Sequence, residues 1–198
     1  MTRKRAEKKS KKTYKKIYSK IIPVIIIIII IAISSIAAIL YLPSEKNNET
    51  GKPDGKWLFA MDTDNIVYKY QVGAIPTLVI IDKNGDITYY KSATHYKEQL
   101  LPNIESAIQG TSESLGESID FTVTTFNGEE FTLSEHKGEV ILLDIMGVGC
   151  YPCELQMPEL KEIDQEMDDK VVILSVDSCW YGETEKDVRD VYGEYILE

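Results

Sequence analysis

The sequence predicts an α/β domain with a mixed sheet flanked by helices, carried on one N-terminal transmembrane helix. Three observations predict it. Residues 21–42 form an uncharged apolar run, long enough at about 1.5 Å per helical residue to cross a hydrocarbon core of roughly 30 Å. Residues 140–146 and 171–177 are apolar runs of strand length on either side of a helical stretch, 150–167, which argues for a right-handed βαβ unit with parallel strands. Residues 77–82 and 87–91 flank Lys83-Asn84-Gly85-Asp86, a hairpin signature.

Residues 1–20 carry ten basic side chains and one acid, Glu7. The positive-inside rule therefore keeps this tail in the cytoplasm and sends the remainder across the cell membrane as a single-pass protein. The alternative is a cleaved signal peptide, with Ser34, Ser35, Ala37 and Ala38 as small-residue cleavage candidates. Its apolar stretch is ordinarily shorter, about 7–15 residues. Residues 43–56 are polar, contain Pro43 and Pro53, and read as a linker. Asn48-Glu49-Thr50 within it matches a glycosylation acceptor pattern.

Residues 57–198 suffice for one compact domain. Beyond residue 42 there are 12 basic against 31 acidic side chains, a formal charge of −19. Such a surface repels nucleic acid and anionic headgroups and favours solubility or a basic partner. The first half, 57–110, begins near Trp57 and holds the hairpin. It continues with Leu100, Leu101, Ile104, Ala107 and Ile108 at helical spacing, ended by Gly110. Residues 111–117 form a polar connector. The second half, 119–198, opens with a second hairpin, 121–126 and 131–133 around Asn127-Gly128. Its first central strand, 140–146, is interrupted only by Asp144. After the second strand, Thr184 caps a helix carrying Val188, Val191, Tyr192 and Tyr195. No internal repeat is present.

Cys150 and Cys153 lie where the first buried strand meets a helix, as Gly149-Cys150-Tyr151-Pro152-Cys153. A thiol at a helix N-terminus meets free N–H groups and the positive end of the macrodipole, which favour thiolate. The second cysteine lies one turn inward, in reach of a disulfide, and Pro152 fits a first helical turn. C-x-x-C beside a βαβ pattern is the redox signature. A static disulfide or half of a metal site is the alternative, although no His or further Cys stands at metal-ligand spacing. Cys179 is left over, as an auxiliary thiol or as a small apolar loop residue.

Asp144 is costly in an apolar strand unless it is used or paired. Burial raises a carboxyl pKa and suits it to move a proton during thiol–disulfide exchange; an Asp bonded to backbone or solvated at a strand end is the other reading. Pro76 opens the strand 77–82, a position where Pro is tolerated.

Together these residues resemble the thioredoxin superfamily, in particular membrane-anchored redoxins related to alkyl-hydroperoxide-reductase-like and cytochrome-c-maturation thioredoxins. The family's proline half is matched by Val72-Gly73-Ala74-Ile75-Pro76-Thr77-Leu78-Val79-Ile80-Ile81-Asp82. Its cysteine half is matched by Asp144 six positions before Cys150 and Pro158 eight after it. Asp120-Phe121, Asn127-Gly128 and Leu133-Ser134 resemble the redoxin entry hairpin. The resemblance covers nearly all of 57–198. It implies a cis Ile75-Pro76 bond packed beside the disulfide, catalytic roles for Cys150, Cys153, Asp144 and Pro76, and no cofactor. It also implies exported protein thiols and disulfides as substrates and a membrane electron carrier as reductant.

Three departures stand out. Gly149 replaces the tryptophan before the first cysteine, and Ile145-Met146 replaces the aromatic after the acid. The third is order: the proline half precedes the cysteine half, the reverse of the family. The sequence thus predicts one circularly permuted thioredoxin-like domain, closed within a chain or swapped between two, with a damaged gene of mismatched halves as the alternative. Residues 140–146 should lie at the sheet centre, with 171–177 parallel on one side and 77–82 antiparallel on the other. Two functional rivals remain. A thiol peroxidase needs Thr where Gly147 stands; a tethered binding module needs only a structural disulfide.

Overall fold

A computed structural model describes residues 57–196. The basic tail, the apolar run 21–42 and the linker 43–56 lie outside the described residues. Among those described, no helix is long and apolar enough to cross a membrane.

The elements in chain order are β1 (Leu58–Met61), α1 (Ile66–Lys69), β2 (Thr77–Ile81), β3 (Asp86–Ser92), α2 (Lys97–Gln109), β4 (Gly116–Glu117), β5 (Thr122–Thr124) and β6 (Glu130–Thr132). A 3-10 turn (Leu133–His136), β7 (Val140–Met146), α3 (Tyr151–Met167), β8 (Val171–Asp177) and α4 (Glu185–Tyr192) follow. One six-stranded sheet runs β1-β8-β7-β2-β3-β4, and β5 and β6 form a separate hairpin. Strand β7 pairs parallel with β8, from Val140 opposite Val171 to Met146 opposite Asp177. On its other side β7 pairs antiparallel with β2, with Leu78 opposite Asp144. Both halves of the domain thus contribute neighbouring strands to one sheet.

Every residue of β7 and of β8 is buried. This is why both read as continuous apolar runs: a strand covered on two faces has no polar side to alternate with. The pleat divides them between two cores. Val140, Leu142 and Met146 face Leu100, Ile104 and Ala107 of α2, Met157, Leu160 and Ile163 of α3, and Val188 and Tyr192 of α4. Ile141, Leu143 and Ile145 face α1 and the β5–β6 hairpin, through Ile66, Phe121, Val123 and Phe131. Asp144 has the parity of Leu142 and Met146, so its carboxyl enters the helix-covered core.

Differences from the sequence expectation are local. Strand β1 pairs parallel with β8 at the sheet edge, Leu58 opposite Leu174. Four apolar residues show no period that separates strand from helix, and the partner lies more than 100 residues away. The short edge strand β4 pairs with β3 inside what reads as a polar connector. The second hairpin is shorter than its apolar pattern, and Leu133 begins the 3-10 turn instead. Helix α2 starts at Lys97, before the first apolar position, where the Gln99 side-chain oxygen accepts from the Tyr96 amide at 3.1 Å. Helix α4 has the expected cap: the Thr184 hydroxyl accepts from the Asp187 amide, and Asp187 reciprocates.

Candidate functional site

The site forms at the edge where β7 and β8 end in register. After Met146 the chain turns through Gly147, Val148 and Gly149. A Cβ on Gly147 would sit 2.9 Å from Ile75 Cδ1 and 3.3 Å from Ser178 Oγ, so a side chain here would push the tip of Ile75 aside where the turn meets the proline loop. Gly149 adopts φ +72°, the left-handed conformation that side chains resist. The aromatic of the resembling family is therefore replaced at a position whose backbone here favours glycine.

This turn delivers Cys150 to the N-cap of α3. Its Sγ accepts from the Cys153 amide at 3.2 Å, and its carbonyl accepts from Cys153 and Glu154. Pro152 occupies the first turn, where a missing N–H costs nothing. Cys150 and Cys153 form a disulfide. Cys150 is half-buried and Cys153 fully buried, so the first sulfur is the one open to a partner.

The proline loop packs against this pair from the other half of the chain. Ile75-Pro76 is cis, and Cys150 Sγ lies 3.6 Å from the Ile75 carbonyl oxygen, 75 positions away in sequence. The Thr77 hydroxyl donates to the Ala74 carbonyl at 2.6 Å and fastens the turn to the start of β2. From the β3–α2 loop, the Thr94 hydroxyl donates to the Pro152 carbonyl at 2.8 Å. From α4, the buried Tyr192 hydroxyl donates to the Gly147 carbonyl at 2.9 Å.

Asp144 is fully buried on the face of β7 that packs against the helix carrying Cys153. Its Oδ2 accepts from the Ser175 hydroxyl at 2.9 Å, and its Oδ1 has no hydrogen-bond partner among the described residues. Burial pushes its pKa from 3.8 to about 7, against the opposing effect of the Ser175 bond. A carboxyl poised near neutrality can hold or release a proton at ordinary pH.

Cys179 is the free cysteine, in the loop leaving β8 on the same sheet edge, with φ 54°. Its Sγ lies 3.5 Å from the Asp177 carbonyl oxygen. Burial, and next the negative charges of Asp177, Asp62 and Glu183, push its thiol above the ordinary value of 9.0. It is therefore a poor thiolate. Among the described residues no group of three or more His, Cys, Asp or Glu side chains is arranged to hold a metal ion.

The structure thus joins Cys150 to Cys153, brings the Ile75 carbonyl before Pro76 to Cys150, and buries Asp144 on the strand face packed against their helix. Sequence reading missed Ser175, Trp57 and the tie from Tyr192. Ser175 left a signal: a lone hydroxyl in an apolar strand, at the same phase as Asp144 in the parallel neighbour.

No family model matches the chain, and no solved structure matches it. Three relatives illustrate its similarities. The thioredoxin-like protein YneN of Bacillus subtilis is 32% identical over 78 residues, 39% of this chain and 46% of that protein. The thiol-disulfide oxidoreductase ResA of Bacillus cereus is 32% identical over 83 residues, 41% of this chain and 46% of that protein. The DnaJ homolog subfamily C member 10 of Homo sapiens is 30% identical over 112 residues, 57% of this chain and 13% of that protein. The chain spans less than half the length of each of these. With the mixed sheet flanked by helices and the Cys150–Cys153 disulfide, these similarities support a thioredoxin-like protein with thiol–disulfide oxidoreductase chemistry.

Proposed function

We propose that the chain is an extracytoplasmic thiol–disulfide oxidoreductase, held to the cell membrane by residues 21–42, that reduces disulfides of exported proteins. The observation that carries this reading is the asymmetric disulfide at the start of α3: Cys150 half-buried at the N-cap, Cys153 buried, and a raised, buried carboxyl in the same core.

In the reduced protein Cys150 attacks a target disulfide as the thiolate. The new bond joins Cys150 to one target sulfur, and the other leaves as a thiolate that takes up a proton. Asp144 then accepts the proton of Cys153, and Cys153 attacks Cys150 Sγ. The mixed disulfide breaks, the second target sulfur leaves and is protonated, and the Cys150–Cys153 bond is restored. Two electrons pass from the dithiol to the target. Pro76 holds the loop that presents the Ile75 carbonyl beside Cys150. A membrane electron carrier then returns the pair to the dithiol. The acidic exported surface, with formal charge −19 beyond residue 42, favours basic targets.

The domain is read as a circularly permuted thioredoxin-like fold, with residues 111–117 joining the ancestral ends. Its support is the antiparallel pairing of β2 from the first half with β7 of the second, and the contact of Ile75 with Cys150. Insulin reduction by the full-length chain tests the activity. Turnover lost on Cys150→Ser in a folded protein is expected; turnover unchanged by that substitution would leave only a structural disulfide.

A further inference from the structure

Asp144 Oδ2 is the end of a buried chain of hydrogen bonds. The Trp57 indole N–H donates to Ser175 Oγ at 2.8 Å, and the Ser175 hydroxyl donates to Asp144 Oδ2 at 2.9 Å. Trp57 is 4% exposed, and Ser175 and Asp144 are fully buried. With Asp144 ionised, the direction is forced, because a carboxylate can only accept. Indole nitrogen can only donate, so it must meet an oxygen lone pair, and the serine proton must then point elsewhere. That proton goes to the carboxylate. Trp57 thus turns a free hydroxyl rotor into a donor aimed at Asp144. The link also crosses the two halves of the domain, with 118 positions between Trp57 and Ser175. Oδ1, by contrast, has no partner among the described residues.

We infer that Ser175 and Trp57 are positioning residues that hold Asp144 by Oδ2, leaving Oδ1 as the atom that exchanges a proton with Cys153 during resolution of the mixed disulfide. This rests on the oxidoreductase reading above. The step is balanced: the Cys153 thiol proton passes to Oδ1, the Cys153 thiolate forms the new S–S bond with Cys150, and the departing target thiolate is protonated. The other titratable groups at this core are Cys153 on α3, Tyr192 on α4 and Asp177 on β8, with Cys150 and the partly buried Tyr89 on β3 and Tyr195 after α4 packed against it, while β2 presents Leu78 opposite Asp144. Glu154 on α3 and Asp177 act with Asp144 on Tyr192, whose pKa is raised chiefly by burial. Among the described residues, the hydrogen bond to the Asp144 carboxylate comes from Ser175, so this donor offsets part of the cost of burial.

The test is the pH dependence of mixed-disulfide resolution by the full-length chain in mild detergent. Titration of the Asp144 carboxylic-acid infrared band, assigned by its loss in Asp144→Asn, is followed alongside. Ser175→Ala should shift both the acid limb of the rate and the band upward by about one pH unit or more, as loss of a donor to a charged acceptor requires. Ser175→Thr, which keeps the hydroxyl, should restore them. Trp57→Phe, which keeps an aromatic ring but no N–H, should produce a smaller shift in the same direction. A simple packing role would lower stability and leave both midpoints in place. Unchanged midpoints in folded Ser175→Ala and Trp57→Phe would overturn the inference while leaving Asp144 as the base. Loss of the acid limb in Asp144→Asn with no effect of Ser175→Ala would do the same. An absent acid limb in the wild type, with turnover intact, would instead remove the role given to Asp144.

Discussion

Replacing Asp144 with Asn removes the ionisation that burial opposes while keeping nearly the same shape. In the folded chain this carboxyl titrates near 7 because it is buried; in the unfolded chain it returns to its ordinary value of 3.8. The folded state therefore binds the proton more tightly. The wild type is most stable, for this group, below pH 3.8. It loses stability as pH rises from there to about 7, and the loss is complete above that. A carboxyl titrating near 7 rather than 3.8 carries about 4 kcal/mol of differential interaction. Asp144→Asn lacks this loss but adds an amide N–H to a site where Oδ1 has no partner, a pH-independent cost of about 1–3 kcal/mol. Urea denaturation of the oxidised chains, followed by circular dichroism between pH 4 and pH 9, separates the two effects. The difference in unfolding free energy should move by about 4 kcal/mol in favour of the variant across that range. All other titrations are common to both proteins and cancel. A constant difference from pH 4 to pH 9 would refute a buried carboxyl that ionises near neutrality.

Alkylation of the reduced chain at mildly acidic pH should modify Cys150 before Cys153, because Cys150 is half-buried at the helix N-cap and Cys153 is buried; first labelling of Cys153 by mass spectrometry would reverse the assignment of attacker and resolver. Cys179→Ser should keep most insulin-reductase turnover, since burial and neighbouring acids hold that thiol protonated; loss of turnover with an intact fold would give Cys179 a part in exchange. Tyr192→Phe should lower unfolding free energy by about 1–2 kcal/mol, measured in urea, because the buried Gly147 carbonyl loses its donor; no change would mean that the bond contributes nothing to holding the turn before Cys150.

The sequence by itself determined the strands 140–146 and 171–177, the hairpin around Asn84-Gly85, the Thr184 cap and the cysteine pair at a strand–helix junction. Each rests on local physics: two-sided burial makes a continuous apolar run, a tight turn needs glycine, and a helix start needs a capping oxygen. Asp144 was legible for a related reason, since a charge in a buried strand is costly enough to stand out. Tertiary structure alone decided which groups meet it. Strand β1 is too short to show a period, and only pairing with β8 makes it a strand and brings Trp57 over Ser175. The Ile75 carbonyl reaches Cys150 because β2 lies against β7, a register that no local pattern encodes. Whether Cys179 is reactive likewise depends on its burial and on Asp62, which folding brings from a distant segment to join its chain neighbours Asp177 and Glu183. Local periodicity names elements and expensive residues; hydrogen-bond partners and pKa values depend on contacts between distant segments, which exist only once the sheet is assembled.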